Sequence, residues 1–178
     1  MKRTTVNFES HGTPLAGHFY LPENHRDGKK IPGVLITGAW TTVKEQMAGE
    51  YAAALAKRGF AVLTFDFRGW GESPDKVRYL EDPKRKTEDI LAGLNVLARR
   101  SEIDADRIGG LGICASAGFM SDAALRSPAL KALALVAPWL HDREIVEAVY
   151  GGKEGVASLI DLGRKAAAAE KPIYQEAA

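Results

Sequence analysis

Four short apolar runs, separated by helical patterns, constrain the fold of this chain more than any other feature. The runs cover residues 31–37, 60–65, 107–113 and 130–137. Strands that alternate with amphipathic helices indicate βαβ units and a mostly parallel sheet. Two earlier segments, residues 4–9 and 14–21, read as strands joined by a short turn, and we expect them to form an antiparallel edge. The fold class predicted from this pattern is α/β.

The helices are predicted from their boundary residues. Thr42 with Glu45 three residues later has the spacing of a capping box, and Gly59 stands where that helix would end. Asp82 followed by a proline predicts the start of a second helix. After Pro138 two helical segments follow, at residues 142–150 and 153–170, with no further strand. We therefore divide the chain into a core at residues 1–140 and a helical segment at residues 141–178.

Composition excludes several classes of function. A length of 178 residues predicts one domain, and a net charge of +1 from 24 basic and 23 acidic residues favours neither nucleic acid nor an anionic membrane as partner. A single cysteine forms no internal disulfide, and the four histidines lack metal-ligand spacing, so we expect no metal. The N-terminus lacks the apolar stretch of a signal peptide, and the longest apolar run, residues 130–140, is too short to span a bilayer. We expect a cytoplasmic protein.

The cysteine stands in the most informative motif, residues 112–118, with the sequence GICASAG. Cys114 is predicted at a sharp turn between the third apolar run and a helix. A nucleophile on such a turn projects from the sheet, and the backbone N–H groups that follow it can receive developing negative charge. Ser116 is the rival nucleophile, because Gly118 lies two residues after it. Cys114 is preferred, since Gly112 lies two residues before it and the predicted strand ends there.

A second motif, Thr37-Gly38-Ala39-Trp40, follows the first apolar run. In an architecture with a nucleophile on a strand-to-helix turn, one oxyanion donor is the residue after the nucleophile and the other comes from this loop. We therefore predict the backbone N–H groups of Ala115 and Ala39 as donors, with Trp40 as the neighbouring alternative. A plain turn that uses glycine for tightness is the other reading of this loop.

Three other patterns are weaker. Residues 110–115 fit a dinucleotide-binding glycine pattern, but no acidic residue ends a strand about twenty residues later. His141-Asp142 follows an apolar run, and the aspartate has the position of a helix N-cap. The segment at residues 68–73, RGWGES, fits a structural loop as well as a pocket floor, so we assign it no chemistry.

Together these motifs resemble the α/β-hydrolase superfamily. The resemblance covers residues 1 to about 140, through LITGAW, DFRGWGES, IDADRIGGLGICASAG and LKALALVAP in that order. A cysteine at the nucleophile position resembles the dienelactone hydrolases. TGAWTTVKEQM and PWLHD resemble polyketide-transferase-type hydrolases. The resemblance implies a three-layer αβα fold, chemistry at an ester, lactone or thioester carbonyl, and no cofactor. Residues from Asp142 onward would begin a cap over the pocket.

The chain departs from that family after residue 140. Members continue with two more strands, which carry the acid and the histidine, whereas His141 is the only histidine after Cys114. We therefore predict an incomplete hydrolase whose histidine and acid come from beyond residue 178 or from a second chain. That remainder would cover the apolar edge at residues 130–137, and a homo-oligomer is left open. The predicted function is a cysteine hydrolase or acyl transferase; the alternative is a non-catalytic ligand-binding or interaction module on a degenerate hydrolase fold.

Overall fold

A computed structural model describes residues 1–169. A six-stranded sheet carries three helices, and two further helices follow it. The elements, in chain order, are β1 (Lys2–Ser10), β2 (Thr13–Leu21), β3 (Ile31–Thr37), α1 (Met47–Ala56), β4 (Ala61–Phe65), α2 (Pro83–Ala98), β5 (Ile103–Ile113), α3 (Ser116–Arg126), β6 (Ala132–Val136), α4 (Arg143–Val149) and α5 (Gly152–Ala168). Residues up to Trp139 form one compact unit, and those from Leu140 onward form a second.

The sheet has the strand order β1-β2-β4-β3-β5-β6. β1 pairs antiparallel with β2, and β2 pairs antiparallel with β4. All pairs among β4, β3, β5 and β6 are parallel. The predicted α/β class, with its antiparallel N-terminal edge and parallel remainder, is confirmed.

Two apolar clusters show that helices cover both faces of the sheet. Alternate residues of one strand enter different clusters, as the two-residue period of a strand requires. Leu35 packs with residues of α2 and α3, whereas Ile36 packs with α1. The buried residues of α1 are all small, which allows its backbone to lie close to the sheet. The first unit therefore has three layers, αβα.

The last strand, β6, is far more exposed than its neighbours. Leu133 and Leu135 retain 41% and 37% of their accessible surface, whereas every residue of β4 is buried. Among residues 1–169, β6 pairs with β5 alone. Its free edge therefore combines unpaired backbone groups with apolar side chains, a combination that folded monomers usually cover.

Several boundaries differ from those expected. α1 begins at Met47, so the predicted capping box is wrong: the Thr42 hydroxyl donates to the Ala39 carbonyl at 2.7 Å and caps no helix. β5 begins at Ile103, because the strand extends upstream of its apolar run. The last helix ends at Ala168, and the predicted position 170 lies outside the described residues. No helix of the described part is long and apolar enough to cross a membrane.

Candidate active site

Cys114 lies on a sharp turn between β5 and α3. Its φ angle of 56° is in the left-handed region, which non-glycine residues seldom adopt and which often marks functional sites. Its N–H donates to the Val136 carbonyl at 3.0 Å, and its own carbonyl accepts from Ala117 N at 3.0 Å and Trp139 N at 3.1 Å. Three segments of backbone therefore hold the cysteine in this conformation.

Gly112 explains why the turn needs small residues. A Cβ atom at position 112 would lie 2.6 Å from the Ser116 carbonyl oxygen and 2.9 Å from the Ala117 Cα. Both are backbone atoms at the start of α3, so neither can yield without moving the helix. Glycine at this position lets α3 begin directly beside the strand that carries Cys114.

The two rival nucleophiles differ in exposure. Ser116 is 1% exposed, whereas Cys114 is a free, partly exposed thiol. Ser116 lies where the start of α3 packs against Gly112, a position that favours a small side chain. Access to a substrate therefore favours Cys114.

The predicted oxyanion motif, Thr37-Gly38-Ala39-Trp40, lies at the same edge of the sheet as Cys114; we call residues 38–43, which follow β3, the oxyanion loop. Thr37 of β3 pairs with Gly112 of β5, and Ala39 and Cys114 each follow two residues after this pair. Neighbouring strands are about 4.8 Å apart, so the strand order brings the loop and the cysteine turn side by side. The structure thus brings two of the predicted segments to one end of the sheet.

Hydrogen bonds within the loop orient its peptides. The Ala39 carbonyl accepts from the Thr42 hydroxyl at 2.7 Å and from Thr42 N at 3.3 Å. Among residues 1–169, no acceptor bonds the backbone N–H of Ala39, Trp40 or Ala115. All three residues are at least partly exposed, so these N–H groups can donate to water or to a bound molecule.

A buried charge cluster that we did not predict from the sequence lies beside this loop. Lys44 Nζ lies 2.7 Å from Asp66 Oδ2, 2.6 Å from Glu72 Oε2 and 2.8 Å from Glu45 Oε1. The Lys44 and Asp66 side chains are 1% and 0% exposed. His18 on β2 completes the cluster, with Nε2 3.8 Å from the Glu45 carboxylate.

The cluster perturbs the pKa values of its members. Burial alone would lower the pKa of Lys44, but hydrogen bonds to Asp66, Glu45 and Glu72 outweigh it and hold that pKa above its ordinary value. Burial, followed by the Lys44 charge, lowers the pKa of His18. Lys44 is therefore a permanent cation that fixes its carboxylate partners. Two of these partners, Asp66 and Glu72, lie in the loop after β4, and Glu72 belongs to the segment at residues 68–73 to which we assigned no chemistry.

Within the first unit, neither His11 nor His25 forms a catalytic pair with the thiol. His11 pairs with Glu88 at 3.4 Å on the surface, and His25 lies in the loop after β2. His141 lies in the second unit. No side chain of the first unit, residues 1–139, hydrogen bonds the Cys114 sulfur. Residues 1–169 contain no cluster of metal ligands.

A family model described as serine aminopeptidase, S33, matches residues 43–165, which include Cys114 and the loop after β4. The chain belongs to this family of α/β-hydrolases. Its αβα sheet, with the turn at the end of β5, is the part of the α/β-hydrolase fold that the chain contains.

Individual proteins similar to this chain are longer than it. The protein YcjY of Escherichia coli is 35% identical over 139 residues, covering 76% of this chain and 45% of YcjY. The crystal structure of PA2218 from Pseudomonas aeruginosa superposes with a TM-score of 0.85 at 32% identity, over 98% of this chain and 56% of that one. The thiohydrolase aneE of Aspergillus aculeatus is 29% identical, covering 73% of this chain and 39% of aneE. The chain therefore spans about half the length of these relatives.

Proposed function

We propose that the protein cleaves or transfers the acyl group of an ester, lactone or thioester, with Cys114 as the nucleophile. The observation that carries this proposal is the turn at Cys114, which combines a left-handed φ, an accessible thiol and an adjoining helix start. The unpaired N–H of Ala115, with that of Ala39 or Trp40, would receive the oxyanion.

The chemistry follows from these groups. The Cys114 thiolate adds to the carbonyl carbon, and the carbonyl electron pair moves to the oxygen, where the N–H donors stabilise it. Collapse breaks the bond to the alcohol or thiol, which leaves with a proton supplied by a general acid. Water then adds to the acyl-cysteine and releases the carboxylic acid and the free thiol. In a transferase, another nucleophile replaces this water.

A histidine and an acid are needed to form the thiolate and to move these protons. We propose that they come from the remainder of the hydrolase, present either beyond residue 178 or as a second chain. The exposed β6 edge supports this proposal, because a further strand there would pair its backbone and cover Leu133 and Leu135. The greater length of the relatives is consistent with it.

Turnover is best measured on the protein as its own cells produce it, with any polypeptide that copurifies. A thioester such as an S-aryl thioacetate is the first substrate, because one relative is named a thiohydrolase; a p-nitrophenyl ester is the second. Replacing the nucleophile in Cys114→Ala should lower kcat/KM about 10³-fold or more. Quenching during turnover should leave an acyl group on the peptide containing Cys114, detected by mass spectrometry.

Ser116→Ala is the matched control, because it removes the hydroxyl of the rival nucleophile two residues away. Its kcat/KM should stay close to that of the unaltered protein. Undiminished turnover in Cys114→Ala, or acylation of Ser116, would contradict the assignment.

The alternative is a non-catalytic ligand-binding or interaction module, favoured by the lack of a hydrogen bond from any side chain of residues 1–139 to the Cys114 sulfur. Iodoacetamide labelling of the complete assembly separates the two. A catalytic thiol paired with a histidine is labelled rapidly well below the pH at which a free thiol ionises. Labelling that rises only near the pKa of a free thiol would support the binding module.

A further inference from the structure

The buried cluster around Lys44 connects two loops at the same end of the sheet. Lys44 directly follows the oxyanion loop, and Asp66 directly follows β4. The Asp66 carboxylate accepts from Lys44 N at 2.8 Å, from Lys44 Nζ at 2.7 Å and from Glu72 N at 3.0 Å. One carboxylate therefore fixes both the backbone and the side chain of Lys44.

The loop after β4 is shaped around that carboxylate. Gly71 has a φ of 48°, and a Cβ atom there would collide with all three carboxylate atoms of Asp66. The Glu72 carboxylate also accepts from the ammonium, 2.6 Å from Nζ. The loop at residues 66–72 therefore supplies two of the carboxylates that bind Lys44.

The strand order places this ion pair and Cys114 on opposite sides of the oxyanion loop. β3, from which the loop emerges, lies between β4 and β5. The first residues of the loop are anchored by β3, and its far end is anchored by Lys44 on Asp66. Between these anchors, Thr42 holds the Ala39 carbonyl. A peptide group is planar, so fixing this carbonyl also fixes the direction of the Trp40 N–H.

Stability alone is a weak explanation for the cluster. Desolvation offsets most of the attraction within a buried ion pair, and apolar replacement of such a pair is often neutral. Its clearest physical effect is geometric, because several charged hydrogen bonds together permit one arrangement of the loop.

We propose that Lys44 and Asp66 are positioning residues, which hold residues 38–43 so that their backbone N–H groups face the carbonyl attacked by Cys114. The proposal rests on the function proposed above. Loosening the loop should then misplace an oxyanion donor without removing any group that touches substrate.

Hydrogen exchange measures the loop directly and needs no turnover. Lys44→Met should raise the amide hydrogen-exchange rates of residues 38–43 on the order of tenfold relative to those of α2, because the bond from Lys44 Nζ to Asp66 is lost. In the complete protein it should lower kcat about 10–100-fold with little change in KM, the cost of a displaced catalytic group.

Two further variants separate positioning from stability. Lys44→Met combined with Asp66→Asn removes both charges, so the free energy of unfolding should recover in part. No buried charge is left unpaired, but the new amide NH2 group faces one of the two backbone N–H groups that the carboxylate accepted. The value of kcat should stay low. Asp89→Asn is the matched control. It breaks another buried pair, with Arg68 at 2.7 Å, which does not contact residues 38–43. It should leave exchange of the loop, relative to α2, unchanged.

The outcomes distinguish this inference from the proposed function. Unchanged exchange of residues 38–43 in Lys44→Met overturns the inference, as does raised exchange with unchanged kcat. Recovery of kcat together with stability in the double variant also overturns it. If the unaltered protein shows no Cys114-dependent turnover, the proposed function fails, and faster loop exchange in Lys44→Met still supports Lys44 and Asp66 as the anchor of this loop.

Discussion

Gly112 and Gly109 lie on the same strand but differ in the space around them, which allows a matched test of the turn. In Gly112→Ala the new Cβ would lie 2.6 Å from the Ser116 oxygen and 2.9 Å from the Ala117 Cα. In Gly109→Ala its nearest neighbour is the Ala132 oxygen at 3.7 Å, an ordinary contact. Each alanine also restricts the unfolded chain, which raises the free energy of unfolding by about 0.4–1 kcal/mol. This gain is the same in both variants and cancels when they are compared. Overpacking against backbone should therefore leave Gly112→Ala less stable by about 1–3 kcal/mol.

Urea unfolding followed by far-ultraviolet circular dichroism measures this difference. With a slope of about 2 kcal/mol per molar, a difference of about 2 kcal/mol separates the two midpoints by about 1 M. Gly110→Ala should fall between them, because its closest contact, at 2.7 Å, is the flexible side chain of Met120. Equal midpoints for positions 109 and 112 would refute the close packing of α3 on the cysteine turn.

Three further predictions concern the first unit. Asp82 Oδ1 accepts from Arg85 N at 3.1 Å as the N-cap of α2, so Asp82→Ala should cost about 1 kcal/mol in urea unfolding, and Asp82→Ser should recover most of it. Burial lowers the pKa of His18, so the unfolded chain binds more protons than the folded chain below pH 6.5, and the free energy of unfolding should fall as the pH drops from there. His18→Gln should flatten this pH dependence, and an unchanged slope would contradict the role of His18. Leu94 is fully buried and Leu125 is 88% exposed. Leu94→Ala should lower the free energy of unfolding by about 2–5 kcal/mol, and Leu125→Ala by under about 0.5 kcal/mol. Similar losses in the two variants would contradict the assigned core.

Local patterns predicted the strands and the cysteine turn well, because both depend on neighbouring residues. The apolar runs identify β3 to β6, and the spacing from Gly112 to Cys114 identifies the turn. The structure adds the reason for the spacing, which is the contact between β5 and the first residues of α3.

The Lys44 cluster could not be predicted in the same way. Lysine is mostly a surface residue, and its partner Asp66 lies 22 residues away, on the loop of another strand. The pair of Thr42 and Glu45 was misread for a related reason. The Thr42 hydroxyl bonds the Ala39 carbonyl, and the Glu45 carboxylate bonds Lys44, so tertiary contacts outcompete the capping box. A glycine-rich loop directly after a buried strand, with an aspartate at its first position, was the one available signal.

The left-handed backbone at Cys114 lowers the stability of the fold at the residue that carries the proposed nucleophile. A non-glycine residue held at a φ of 56° costs about 1–3 kcal/mol, which Cys114→Gly would largely recover. A laboratory screen for abundance or heat tolerance would therefore enrich variants that have lost the thiol. Such a screen should therefore also select for the proposed acyl turnover.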